Sequence, residues 1–514
     1  MSDESLSIGD LRAATLRGLR WAVVSRPIIE LLNVASMAAL ARLVAPADFG
    51  RFAVAVIVAD LGSVTAQGVN TALVQRKAVT REHLQAGLSL AILSGLVLVG
   101  LIVAAARLVV EPIYGGRTAD LVLLLAPLAF LTAANNVPVA ILQRRLEFRR
   151  LSALPVLISA VTVATSVPLA VAGMNGVALV LGAVAGIAVA TAVVWAWTCP
   201  PPPRLRRAAA RELLSYGAPA SLAAVGWVGF RNCDYAIVGA RLGPLQAGFY
   251  YRAYTVAVEY QKKVSTLMDV LGFPLLSRAG TVDEQRTLRG RMVRMETLVL
   301  FPALTLLAIV APVLIPWFFG DQWTSATVPT QILAIGGAAT LVIDAVGAGL
   351  MASGRPRALL GYAWGHFGAY AAAVVIASPF GIVAVAVAAA TVHSAFVFVA
   401  YVLLLQDDRA RGAGLLRRAS KEMWNDIQPA TVSCAAIAAV AVPVALGLSS
   451  AQFPHLAFLA IVTAASAATY LVALRLIFPS SLRSLGNLVA HLLPERGAKA
   501  RPSRLATADT RATP

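Results

Sequence analysis

The residues of this chain equipped for chemistry are ionised or amide side chains set at helical spacing inside long apolar runs. Arg26, Glu30 and Asn33 recur at i, i+4 and i+7, and Asp60, Ser63, Gln67 and Asn70 form a second stripe. Arg231 and Asp234 stand at i and i+3, with Trp227 and Asn232 beside them. The longest stripe is Arg252, Thr255, Glu259, Lys262, Thr266 and Asp269, with Lys263 alongside. Asp344 lies in another apolar run with no evident basic partner. None of this is bond-making equipment: there is no nucleophile with a base, no metal-ligand cluster and no glycine loop for phosphate. The reading is of a non-enzyme that needs no cofactor or metal. An ionised group at mid-bilayer costs roughly 2.5–3.5 kcal/mol even on the lenient insertion scale, so it turns toward protein or water. The stripes predict a polar cavity walled by helices, whose chemistry is the binding of charge.

The elements that carry these stripes follow from composition. Of 514 residues, 59% are hydrophobic and 13% charged, about half the charged share of a soluble domain. Mean hydropathy is +0.76. Apolar windows of about 20 residues match a ~30 Å hydrocarbon core. They predict an all-α integral membrane protein with about fourteen spans, at 21–43, 52–73, 84–106, 119–142, 151–172, 176–198, 214–240, 250–275, 297–315, 327–352, 359–379, 382–405, 429–449 and 455–476. Residues 1–20 are polar and lack a cleavage-type apolar core, so the first span is expected to be retained. Cys199, Cys233 and Cys434 are too scattered for a disulfide framework or a metal pattern.

The net charge of +18 would suggest nucleic acid in a soluble chain. Here no nucleic-acid module accompanies it, and the basic residues alternate between connections. One set of connections holds Arg76, Lys77 and Arg81, then Arg144, Arg145, Arg149 and Arg150, then Arg204, Arg206, Arg207 and Arg211, and continues so to the C-terminus. The other holds only Arg42, Arg51, Arg107, Arg117 and Arg241. The asymmetry places both termini in the cytoplasm. External connections are short, which argues against a membrane glycosyltransferase or polymerase.

Segments of the two halves match in order. Ala41-Arg42-Leu43 leads to Pro46-x-x-x-Gly50, and Ala240-Arg241-Leu242 leads to Pro244-x-x-x-Gly248. Pro112-x-x-x-Gly116 answers Pro316-x-x-x-Gly320, and Gly176-Val177 answers Gly381-Ile382. Six spans per repeat give both halves the same orientation, a plan that transporters use to rock two lobes about a site between them. The expected organisation is a cytoplasmic segment 1–20, an N-lobe 21–198, a cytoplasmic linker 199–213, a C-lobe 214–405, a cytoplasmic loop 406–428, a helix pair 429–476, and an interfacial helix with a disordered tail 477–514.

Structural roles compete for some of these charges. Arg26 with Glu30, and Arg231 with Asp234, also have salt-bridge spacing. Arg252 near the external end is expected to snorkel. His366 and His393 read as packed polar residues rather than proton relays.

The chain resembles the Wzx-type oligosaccharide flippases of the polysaccharide-transporter branch of the MOP superfamily. The stretches that carry the resemblance are Ala41 to Gly50, Asp60-Leu61-Gly62 leading to Ala72-Leu73-Val74-Gln75-Arg76-Lys77, and Leu142-Gln143-Arg144 followed by Phe148-Arg149-Arg150. Gly248-Phe249-Tyr250-Tyr251-Arg252-Ala253-Tyr254 and Gly320-Asp321-Gln322-Trp323 complete the series. The resemblance implies a MOP-type fold in the bacterial inner membrane and an undecaprenyl-diphosphate-linked oligosaccharide as substrate. On the charge pattern, Arg26, Arg231, Lys262 and Lys263 are the candidate diphosphate contacts, and Asn33, Gln67, Asn70, Trp227 and Asn232 the candidate sugar contacts. Proton or sodium coupling through Glu30, Asp60, Asp234, Glu259, Asp269 or Asp344 is open, as is contact with a polymerase and other assembly proteins. The alternatives are a lipid II flippase, a cation-coupled exporter, a membrane glycosyltransferase or polymerase, and a non-transporting scaffold.

Overall fold

The computed structural model describes residues 27–76, 78–259, 281–352, 356–406, 412–451 and 453–483. The side chains at 59, 61–67, 75, 216–231, 282–283, 344–352, 356–357 and 359 lie outside that description. The described chain is α-helical, with no strand among the described residues.

Helix α1 covers 27–43, and α2 follows at Pro46–Gln75. Then come α3 (Arg81–Tyr114), α4 (Gly116–Arg144), α5 (Phe148–Val171) and α6 (Asn175–Thr198). The second half holds α7 (Arg207–Tyr254, two helical stretches that meet at a break at Gly243, φ 81°), α8 (Val282–Phe319), α9 (Thr327–Ala352), α10 (Pro356–Ala377) and α11 (Ile382–Leu405). Helices α12 (Ala413–Ser450) and α13 (His455–Ile477) close the chain. Among the described residues, 10 helices are long and apolar enough to cross a membrane. They coincide with the expected third to sixth and ninth to fourteenth spans. The other four expected spans fall on stretches that include residues or side chains outside the description.

Local sequence explains the ends. Thr80 opens α3 and Thr281 opens α8, each with a reciprocal capping box, to His83 and Glu284 respectively. Pro46 sits in the first turn of α2, where its missing N–H costs nothing. At the far end of α2 the Arg144 guanidinium donates to the carbonyls of Leu73 (3.2 Å), Val74 (3.4 Å) and Arg76 (2.6 Å). Carbonyls left over at a helix C-terminus are thereby satisfied.

Two helices run further than apolar windows foretell. α12 begins at Ala413, inside the stretch read as a loop over 406–428, and α8 begins at Val282, well before the expected edge at 297. The extensions hold each other: Arg289 pairs with Glu422 (3.4 Å) and Arg294 with Asp426 (4.0 Å). Arg294 donates to the Asn425 carbonyl (2.9 Å), and Tyr401 to Asp426 (2.8 Å). Polar side chains hide such helix from a hydropathy window, because tertiary ion pairs rather than lipid contact stabilise it.

The outer wall exposes Leu93, Leu96, Leu101, Leu108, Leu446, Leu471 and Leu476, which in water would be an aggregation surface and in a bilayer faces lipid. The largest buried cluster joins the two halves. It contains Leu40, Val44 and Phe49 from the first, with Tyr235, Phe249, Tyr250, Ile315, Phe319 and Trp323 from the second.

Candidate functional site

The two proline–glycine turns of the repeat meet face to face. A Cβ placed on Gly50 would overlap the Pro244 carbonyl oxygen, and one placed on Gly248 would overlap that of Pro46. Each turn thus packs its glycine on the other's proline, the reciprocity that a two-fold relation between repeats requires. Only glycine permits backbones this close.

Around that contact, at the end opposite the arginine-rich connections, Ala41, Arg42 and Tyr114 tie the halves together, while Arg241 braces the second half internally. Ala41 offers its carbonyl to the Gln322 amide (2.6 Å) and to the Trp323 indole N–H (2.7 Å). Arg42 donates to the Trp317 (2.5 Å) and Phe318 (3.3 Å) carbonyls at the end of α8. Its repeat counterpart Arg241 donates to the Val375 carbonyl (3.1 Å) and the Ser378 hydroxyl (3.3 Å) at the end of α10. Both arginines therefore complement the negative end of a helix. Tyr114 adds a bond to the Ala236 carbonyl (3.0 Å).

Arg252 sits beneath this closure. Its guanidinium carbon lies 4.4 Å from the Phe49 ring centre, 4.9 Å from that of Phe319 and 4.8 Å from that of Trp323. It is 2% exposed, so the expected snorkelling does not occur. Three aromatic faces, one from α2 and two from the α8 region, take the place of water, a trade that cation–π attraction makes favourable.

Asp234 is fully buried on α7. It accepts from the hydroxyls of Tyr250 (3.1 Å) and Tyr370 (2.8 Å) and from the Tyr235 amide (3.0 Å). The Tyr235 ring packs edge-on against Tyr250 (5.9 Å), Tyr251 (5.5 Å) and Tyr254 (5.1 Å). Asp60 on α2 and Glu259 in the segment after α7 are both half-buried. Glu259 ends a π-helical turn, Thr255–Glu259, an irregularity common at functional sites. His366 and His393 are buried ring to ring (5.1 Å), and His393 also meets Tyr370 (4.8 Å).

Of the remaining predicted site residues, Glu30, Asn33 and Asn232 are half-buried. Asn70 is half-buried too, and its amide donates to the Asn136 carbonyl (3.0 Å), joining α2 to α4. Arg26, Lys262, Lys263 and Asp269 lie outside the described residues, as do the side chains of Gln67, Trp227, Arg231 and Asp344.

At the arginine-rich end, the start of α7 docks on the first half. Glu212 pairs with Arg76 (2.5 Å) and His83 (3.2 Å), while Ala209, Ala210 and Leu213 bury against α2 and α3 residues. The Arg76 and His83 partners hold the Glu212 carboxyl below the usual carboxylate range.

Sequence reasoning took Tyr250, Tyr251, Tyr254 and Trp323 as carriers of the resemblance and not as site residues. The available signal was density: of 11 tyrosines in the chain, three fall at 250, 251 and 254, beside the most charged stripe.

The profile of a family described as "Polysaccharide biosynthesis protein" matches residues 39–328. A Klebsiella pneumoniae protein described as an uncharacterized membrane protein in the cps region is 24% identical over 67% of this chain and 72% of its own length. The lipopolysaccharide biosynthesis protein WzxC of Escherichia coli is 26% identical over 67% of this chain and 71% of its own. In fold, the chain is similar to the lipid II flippase MurJ in an inward closed conformation, with TM-score 0.70, 13% identity, and coverage of 91% of this chain and 99% of that one. An inward-facing multidrug resistance MATE transporter of the MOP superfamily follows at TM-score 0.60 and 15% identity, over 78% of this chain and 99% of that one. The architecture is the MOP-type all-α membrane fold.

Proposed function

Because the chain belongs to the polysaccharide biosynthesis protein family, which its residues 39–328 match, we propose that it is a flippase for undecaprenyl-diphosphate-linked oligosaccharide. It turns these lipid-linked units from the cytoplasmic to the external leaflet of the inner membrane, for exopolysaccharide, capsule or O-antigen synthesis. The observation that carries this reading is the reciprocal Gly50–Gly248 closure at one end, in a chain whose two halves both carry polar stripes in apolar runs. The arginine-rich end is cytoplasmic by the positive-inside asymmetry, with both termini on that side. The closed end is then external, and the lobes 21–198 and 214–405 rock about a seam that opens inward.

The charges suit the cargo. A diphosphate needs cations, which Arg26, Arg231, Lys262 and Lys263 supply; sugars need amides and an aromatic face, which Asn33, Gln67, Asn70, Asn232 and Trp227 supply. The polyprenyl tail stays in lipid. An inside-negative potential favours outward movement of an anion by ~2.3 kcal/mol per charge per 100 mV. Asp234, ringed by donated hydroxyl groups, is the candidate that links the seam to the interior of the C-lobe.

The test is leaflet access of a labelled lipid-linked oligosaccharide in proteoliposomes, with lipid II and a cationic drug as competing cargoes. The expected result is flipping of the oligosaccharide lipid alone, slowed at least about tenfold by Lys262→Ala/Lys263→Ala, as losing a charge-assisted contact implies. A normal rate in the double variant sinks the diphosphate assignment. Transport of lipid II or the drug instead sinks the substrate assignment.

A further inference from the structure

We infer that a groove between α3 and the start of α7 is a docking site for an anionic phospholipid of the cytoplasmic leaflet. The inference rests on the orientation proposed above and is independent of the cargo. The groove, of about 520 Å³, is walled by Leu90 and Leu93 from α3 and by Leu205 and Leu214 from α7 and its lead-in. Arg207 and Arg211 stand at its rim.

Charge selects the occupant. Arg207, Arg211 and Leu214 lie at i, i+4 and i+7 on one face of α7, while Glu212 points elsewhere, toward Arg76 and His83. The other acid nearby, Glu82, faces Arg206 (3.9 Å). Among the described residues no carboxylate pairs with Arg207 or Arg211. The first turn of α7 has no side-chain cap and its start is exposed.

Depth selects it further. Leu214 follows Arg207 by seven residues, a rise of about 10 Å along the helix. On the proposed orientation Arg207 therefore lies nearer the cytoplasmic surface than Leu214. Leu205 is 58% exposed on the lead-in, beyond the apolar spans, a position compatible with a lipid interface. A phosphodiester with acyl chains matches both the arginines and the leucines, as basic pockets between membrane helices do elsewhere. A soluble anion would leave the leucines uncovered, and a neutral lipid would leave the arginines unanswered.

The experiment is native mass spectrometry of the purified full chain offered phosphatidylglycerol and phosphatidylcholine in equal amounts. Phosphatidylglycerol should be retained at least about tenfold better, the size of effect that two interfacial cations give. Arg207→Gln/Arg211→Gln should abolish that preference, and Arg207→Lys/Arg211→Lys should keep it. Leu93→Trp, which fills the groove from the α3 wall, should reduce retention of both lipids. Equal retention by the wild type, or an undiminished preference in the glutamine variant, overturns the proposal. So does displacement of phosphatidylglycerol by an equal amount of undecaprenyl phosphate, which would give the site to the carrier lipid. Since binding is the readout, a failed flipping assay leaves the result standing.

Discussion

Gly50 and Gly248 lie back to back, each with the carbonyl of the other turn's proline where its Cβ would be. Residues nearly two hundred apart in sequence thus bring the backbones of the two halves into direct contact. A side chain at either site must push the halves apart at the closed end.

Gly50→Val should therefore separate the proline turns while leaving the membrane spans intact. Overpacking of this kind costs about 1–3 kcal/mol. Spin labels at Ala47 and Leu245 should report a longer and broader distance distribution than in the parent. An unchanged distribution would show that the contact does not hold the lobes together.

Arg252→Ala should destabilise the closed end, because the cage of Phe49, Phe319 and Trp323 loses its cation. A desolvated cation–π contact is worth ~2 kcal/mol, which a detergent thermal-shift assay reads as a lowered Tm. Arg252→Lys should fall between the two, since it keeps the charge but not the planar stack.

Trp323→Phe keeps the ring against Phe49 (5.3 Å) but removes the N–H that reaches the Ala41 carbonyl. The expected cost is about 0.5–1.5 kcal/mol. A cysteine at Ala41 should react faster with an impermeant thiol reagent added outside. No change in rate would place the closure's strength elsewhere.

Asp234→Ala should leave the hydroxyls of Tyr250 and Tyr370 without their acceptor, at about 1–3 kcal/mol for each buried group. Asp234→Asn keeps an acceptor oxygen and should fold nearly as well. If flipping draws on this carboxylate, Asp234→Asn should be stable yet insensitive to the cation gradient that drives the parent. Retained sensitivity would make Asp234 purely architectural.

The Glu212 junction gives a pH dependence of known sign. Its carboxyl is held low by His83 and Arg76, so the junction's contribution is complete above the unfolded carboxylate value, roughly 4.3. It is lost as pH falls through the lower, folded value. Spin labels on Ala78 and Ala208 should hold one distance from neutral pH down through the ordinary carboxylate range and lengthen only below it. Glu212→Gln should show the long distance throughout.

Class, element type and repeat were legible because each rests on patterns local to the chain. Apolar runs set by bilayer thickness, arginines alternating between connections, and the paired Pro-x-x-x-Gly turns all survive without knowing what touches what. The helical extensions at Ala413 and Val282 escaped that reading, since ion pairs across the fold stabilise them.

The stripes showed in the sequence which faces avoid lipid, because an uncompensated charge in hydrocarbon is costly wherever it lies. Their partners did not show. Arg252 looked like a residue reaching for water, and only the tertiary structure surrounded it with three rings. Asp234 stood in the sequence only at salt-bridge spacing from Arg231, and nothing there announced that Tyr250 and Tyr370, the latter from α10, donate to it. Spacing along a helix tells which side chains share a face, whereas the occupant of the opposite face comes from a distant segment whose approach is set by packing. By itself the sequence determined a membrane-spanning, two-fold repeated helical chain with polar faces; the tertiary structure decided that the two proline–glycine turns close on each other.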